Sequence, residues 1–556
     1  MALGRRAAGA RARWAMFATA LAGVSCSTVT GLDDFSVVAD ACGGCPGDAV
    51  CVDNGICCDT PCDDACHACD LPGREGTCSP IEALVAVTDE SDASCLDTCG
   101  KGGCFCGPDG GRLCSGDSLA SHSVGSAGSL LVADAIALAA EGDVVLGGTL
   151  SGVLETADGM VVAQGNDGVL MKLGSDGAPR WTAFVVSPGN DSVTDVAVAG
   201  NGRIFATGTI GATGSYACVT CSKTEMVAVV SDGFVLAVGP QGSHATHIVF
   251  GSTGFERANA VAVDAGRVAI AGWGQWTGTA AEGDGSYNAF FGELTRDLVP
   301  VAFNVLQPFD AASQFAEGVA IHGDGLVMAG EARGTMTVGR AQIGGGQSHD
   351  VMVGRFGGPA DAVNPAIWAG SWGDTRDLQY AHAIAVAPDG DVVVAGRFLG
   401  ELPFAADEPL VATEKTGVDA SAADVFVARF RADGGLRWSR SFGGPLGAYL
   451  WGAAVDSAGN TIVVGSTYAE LQGVPSAIDT AHKSLDAFVL KLSPSGQRLW
   501  GRRFESAGAD EARDVAIGEA DHIFVSGSFQ GNVDFGDQAH TAGGSSTHAF
   551  VVELLP

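Results

Sequence analysis

The chain has 556 residues, with 30 Lys and Arg against 64 Asp and Glu, a formal net charge of −34, and 82 glycines. An acidic balance of that size argues against nucleic acid and anionic membrane surfaces as partners. The sequence also holds no Gly-x-Ser-x-Gly, no His-Glu-x-x-His, no phosphate loop, and no Gly-x-Gly-x-x-Gly between a strand and a helix, so no single-segment catalytic or nucleotide motif is present.

Residues 1–25 read as a signal peptide: Arg5, Arg6, Arg11 and Arg13 precede an apolar run from Trp14 to Val24, too short to span a bilayer. Gly23-Val24-Ser25-Cys26 resembles a bacterial lipobox, which implies diacylation of Cys26. Ser27 after it implies, by the same resemblance, an outer-membrane destination. The alternative is a simple secreted protein with an unmodified Cys26. Residues 26–41 are short, polar and acidic, and read as a tether.

From 42 to 115 the composition changes. Cys42, Cys45, Cys51, Cys57, Cys58, Cys62, Cys66, Cys69, Cys78, Cys95, Cys99, Cys104, Cys106 and Cys114 crowd a stretch poor in large apolar residues. An exported segment that cannot build a core is held by cross-links, and an even number of cysteines fits disulfides. Zinc is the rival, given the two-residue spacings at Cys42/Cys45 and Cys66/Cys69 with His67 nearby. The run NGICCDTPCDDACHACDLPGREGTCSP resembles cysteine-rich modules of myxobacterial secreted proteins.

Residues 119–556 are repetitive. AIAVAPDGDVVVAG recurs as AIALAAEGDVVLGG, VAVAGNGRIFATG, AVAVDAGRVAIAG, GVAIHGDGLVMAG, AAVDSAGNTIVVG and VAIGEADHIFVSG, with a central alanine at 137, 197, 262, 320, 385, 454 and 516. A glycine ends the second run each time, at 148, 208, 272, 330, 396, 465 and 527. These are hairpins of alternating apolar strands joined at Asp-Gly turns. A third strand recurs as DGVLMKL, EMVAVV, NAFFGEL, DVMVGRF, DVFVARF, DAFVLKL and HAFVVEL, opening at Asp167, Glu225, Asn288, Asp350, Asp424, Asp486 and His548. A fourth strand follows only six of these, and Trp181, Trp368, Trp438 and Trp500 in it read as packing between neighbouring units. The seventh copy is supplied in advance: Val124 stands eleven residues before Ala135, as Phe442 does before Ala453. The predicted fold is therefore all-β, a seven-bladed β-propeller of four-stranded blades closed by an N-terminal strand, preceded by a small disulfide-rich domain. The units resemble the bacterial SBBP repeats and, more loosely, NHL repeats, a resemblance that implies the fold and little about function.

Several features bear on function. Cys218 and Cys221 read as a local disulfide. His244 and His247, on one strand, alternate to opposite faces and so are not expected to share a metal. Calcium is possible for an acidic secreted protein but has no loop motif here, and no other cofactor is implied. The segment between the second and third strands is longest in the fifth unit, where Glu401, Asp407, Glu408, Glu414 and Asp419 mark a candidate binding surface. The expectation is a monomeric, cell-surface or secreted binding module for a protein or glycan, touching membrane only through its lipid. A polysaccharide lyase or hydrolase at the channel mouth and a calcium-dependent adhesin are the alternatives.

Overall fold

The computed structural model divides into two units, residues 1–115 and 116–556. It describes residues 112–556 apart from 157–158, 219–222, 276–286, 307–312, 339–340, 345–347, 358–365, 375–378, 414–422, 445, 469–470 and 472–483, and before them only short strands. In the first unit, Val50–Cys51 pairs with Cys57–Cys58, His67–Ala68 with Ser79–Pro80, and Val85–Val87, Cys104–Cys106 and Arg112–Cys114 form one small sheet. Cys114 is disulfide-bonded. The signal peptide, Cys26 and the side chains of the other cysteines of residues 42–113 lie outside the described residues.

The second unit is built from antiparallel sheets. Six of them take their four strands in chain order: 130–138, 144–156, 159–173 and 179–186; 192–198, 204–210, 232–238 and 244–250; 256–263, 267–274, 288–295 and 300–305; 314–322, 325–332, 350–356 and 366–372; 379–386, 392–398, 424–430 and 436–442; 448–455, 461–467, 486–492 and 498–504. The seventh joins 511–517, 523–534 and 539–554 to Ser118–Val124 as its outer strand, Val124 facing Ala549 and Ser118 facing Leu554. The first strand of each sheet packs against the first strands of the sheets before and after it, and that of the seventh against that of the first, so the inner strands form a closed ring. The chain is a β-propeller. Among the described residues there is no α-helix, only two 3-10 turns at Ala140–Gly142 and Glu519–Asp521, and none long and apolar enough to cross a membrane.

The turns are made as the Asp-Gly pairs require. Gly390 adopts φ +82 and its N–H bonds the Ala387 carbonyl, while Gly434 adopts φ +89 and bonds Arg431. The tryptophans of the outer strands pack on the next sheet's last turn. Trp181, Trp368 and Trp438 lie against Gly242, Gly434 and Gly496, and their indole N–H groups donate to the carbonyls of Pro240, Ala432 and Pro494. Trp500 meets Gly116, just before the closing strand. That contact puts the N-terminal strand in the place of a turn.

One strand assignment differs from the sequence reading. The third strand of the second sheet is Asp232–Val238, and Glu225 sits on a separate hairpin, Gly214–Cys218 with Thr224–Met226, which pairs with the outer strand of the first sheet. The apolar alternation of EMVAVV had drawn the register forward. In fact Asp232 opens the strand, and its carboxylate accepts the Val229 N–H at 2.9 Å.

Candidate functional site

The glycine that ends every second strand has one cause. A Cβ at 148, 208, 272, 330, 396, 465 or 527 would stand 1.9–2.0 Å from a carbonyl oxygen of the inner strand. Those carbonyls belong to Val132, Ser192, Arg257, Phe315, Tyr380, Tyr449 and Glu511. Each is pushed in by a register shift in the inner strand, immediately beyond the glycine pairing. Such a bulge leaves one residue unpaired and re-aims it. The seven bulged residues are Asp134, Thr194, Asn259, Glu317, His382, Trp451 and Arg513, one on each inner strand. The glycine repeats without exception, whereas the residue it makes room for never does.

Around these positions, at the end of the ring that bears the links from second to third strands, aromatic rings run in a continuous arc. Trp273 lies 5.4 Å from Phe315, Phe315 6.4 Å from His349, His349 5.5 Å from Tyr380, Tyr380 6.1 Å from His382, and His382 5.3 Å from Trp451. Trp451 stacks on Tyr449 at 5.9 Å, and Tyr287 adds to the Trp273 end at 4.9 Å. Two arginines complete it. The Arg397 guanidinium lies between Tyr380 and Tyr449, 5.1 and 5.0 Å from their centroids, and Arg513 lies 4.5 Å over Trp451. Each such cation–π contact is worth about 0.5–2 kcal/mol, more as water is excluded. All of these side chains are half-buried.

Electrostatics at the mouth follow from burial. Glu317 accepts from Asn259 Nδ2 at 2.9 Å, and burial, reinforced by Glu331, pushes its carboxyl up to about 8. Burial raises Asp134, opposed by Arg513 and Arg257. His382 is driven down to about 3 by burial, then by Arg397 and Arg513, and is neutral near pH 7. Deeper in, Asp195 bonds the Val261 N–H and Asp514 the Ile136 N–H, tying neighbouring sheets together. Burial raises both, Asp514 to about 6, and Asp195 further because of the Asp514 charge.

Of the residues singled out in the sequence, few meet at this mouth. Glu401 begins a two-residue strand paired with Leu410–Val411, and its N–H bonds Asp374. Asp407 and Glu408 are exposed, whereas Glu414 and Asp419 lie outside the described residues. The inner part of that segment is structural, since Leu402 and Phe404 are buried and Phe404 packs on Trp372 at 5.4 Å. Cys218 is disulfide-bonded, and Cys221 is outside the described residues. His244 and His247 do not alternate as expected. A register shift beside Val238 lets their rings meet, Nε2 to Nδ1, at 2.9 Å. Among the described residues no group of three or more His, Cys, Asp or Glu is placed to hold a metal. A Ser121–His540–Asp537 trio resembles a nucleophile's setting only superficially. Ser121 is fully buried and donates to Asp537, while His540 Nδ1 faces Ser123.

No family model matches the chain, and no curated protein matches it in sequence. Among solved structures it is similar to Sqt1 from Chaetomium thermophilum, at 12% identity over 79% of this chain and 99% of that one with a TM-score of 0.38. It is also similar to YCF48 bound to a D1 peptide, at 9% identity over 68% and 95% with a TM-score of 0.31, and to the WD40 domain of Neurospora crassa Pan2, at 8% over 65% and 88% with a TM-score of 0.30.

Proposed function

We propose that this chain is an exported binding module, a seven-bladed propeller held at the cell surface through a lipid on Cys26 and a disulfide-rich segment over residues 42–115, that takes a protein or glycan at its channel mouth. The observation that carries the reading is the set of seven unlike residues on seven equivalent bulges, of which His382 and Trp451 belong to the aromatic arc. Packing roles repeat from unit to unit, and recognition breaks the repeat. The test is retention from envelope extracts and a glycan panel by the immobilised chain, compared with a Tyr449→Ala, Trp451→Ala variant. Ligand retained by the former and lost by the latter is the expected result, and equal retention by both refutes the assignment of the mouth. Mass spectrometry of the mature N-terminal peptide checks the lipid.

A second reading has its own support. Tyr380, His382, Arg397 and Glu317 converge at one end of the ring, as a polysaccharide lyase or hydrolase would require. Release of new reducing or unsaturated ends from any acidic or neutral polysaccharide, abolished in His382→Ala, would favour it over binding alone.

A further inference from the structure

Tyr380, Arg397, Tyr449, Trp451 and Arg513 form one ladder, alternating ring and guanidinium except where Tyr449 and Trp451 stack together. Arg397 lies over two of the rings and Arg513 over one. A guanidinium also offers a planar fork of N–H donors that matches a carboxylate in two parallel bonds. Arg513 already shares its edge with Glu511, Nη2 to Oε2 at 2.6 Å. Arg397 forms no ion pair among the described residues, although Glu331 feels its charge. The polar atoms of this ladder that lack a protein partner are donors: Arg397 Nε, Arg513 Nε and Trp451 Nε1. His382 Nε2 beside them is also unpartnered.

Resting on the reading that the mouth binds a ligand, we infer that the ligand is an acidic polysaccharide, with the carboxylate of a uronate residue on the Arg397 edge. The rest of the lining suits a sugar. Tyr287, Tyr380, Tyr449 and Tyr468 add their hydroxyls to the aromatic arc, groups that match a hydroxyl-rich chain. The net charge of −34 does not forbid an anion here. Charges farther than about 8 Å are screened at physiological ionic strength, so the guanidinium against the ligand dominates.

The experiment is calorimetric titration of the full chain with a galacturonate hexamer, the same hexamer as its methyl ester, neutral cellohexaose and a glutamate hexapeptide. The acid is expected to bind, and methyl esterification or Arg397→Gln to weaken it at least tenfold. Arg397→Lys, which keeps the charge and loses the planar fork, recovers only part of that. Thermal melts show whether the variants fold, and the esterified ligand tests the inference on the unaltered chain. Equal affinity for acid and ester, tighter binding of the peptide, or indifference to Arg397→Gln overturns the inference and leaves a ligand-binding mouth standing. If the chain retains nothing from glycans or extracts, the binding reading falls with it.

Discussion

Gly396 and its six counterparts carry the clearest message at the scale of single residues. A methyl group there has nowhere to go, because the Tyr380 carbonyl would stand 1.9 Å away and is itself fixed by the bulge. Gly396→Ala is therefore expected to cost about 3 kcal/mol by denaturant unfolding, against about 0.5 kcal/mol for an ordinary surface change. A value near the latter would mean that the bulge is not rigid. Protonation makes a second prediction. Glu317 and Asp510 are each pushed by burial up to about 8 from ordinary values of 4.5 and 3.8. A carboxyl with a raised folded pKa contributes stability that is complete below its unfolded pKa and is lost as pH climbs to the folded one. The window is thus about pH 4 to 8, at roughly 1.4 kcal/mol per unit for each group. Melting temperature should fall between pH 5 and 8, and Glu317→Gln with Asp510→Asn should flatten that slope. Equal slopes in both proteins would refute the assignment. The repeated glycines were legible in the sequence, but their reason was not, since a bulge is a matter of register between strands rather than of composition.

At the scale of elements, two devices recur with variations, the first between neighbouring sheets and the second within a sheet. The first is the outer-strand tryptophan. Trp438→Phe keeps the packing but leaves the Pro494 carbonyl without its donor, a loss of about 1 kcal/mol, whereas Trp500 Nε1 has no partner to lose. Trp500→Phe should therefore be close to neutral, and a matched loss in the two variants would show that the hydrogen bond contributes nothing. The second device is an ion pair between the first turn and the third strand. Asp143 meets Lys172, Asp391 meets Arg429 and Asp456 meets Lys491, yet in the third sheet the signs exchange, with Arg267 on Glu293, and in the seventh His522 hydrogen-bonds Glu553. Aligning the repeats exposes the exchanged charges, so this contact was available to sequence reasoning. The misplaced third strand of the second unit was a failure of the opposite kind. EMVAVV alternates well enough to be a strand, but hairpin insertion had moved the true one to Asp232–Val238, and local pattern carries no information on which edge a hairpin will join. The candidate mouth was least legible of all, because its residues come from strands far apart in the chain and its bulged positions share no residue type.

The whole molecule shows why those residues are free to differ. Core packing runs through the sheet faces, in clusters that include Phe205, Phe290, Phe426 and Phe488, and the inner-strand bulges stand outside the pairing. Exchanging bulged residues between sheets, for instance Trp451→His with His382→Trp, should cost no more than about 0.5–2 kcal/mol, the worth of the Arg513 contact over Trp451, and leave the ring folded. Ligand retention should be lost. A collapse in stability instead would show that the channel residues hold the ring together.

Closure of the ring also has a consequence in time. The strand Ser118–Val124 is synthesised before any other part of the propeller, yet its partner is the last of the ring's strands to be made, and Ser118 reaches Asp537 across 419 residues of sequence. Until that partner emerges, the growing chain carries two unpaired strand edges, one at each end of an open arc, and such edges join to other chains. The first-made strand waits longest for its place, so a chain cut short before residue 549 should be found in aggregates rather than as a smaller ring.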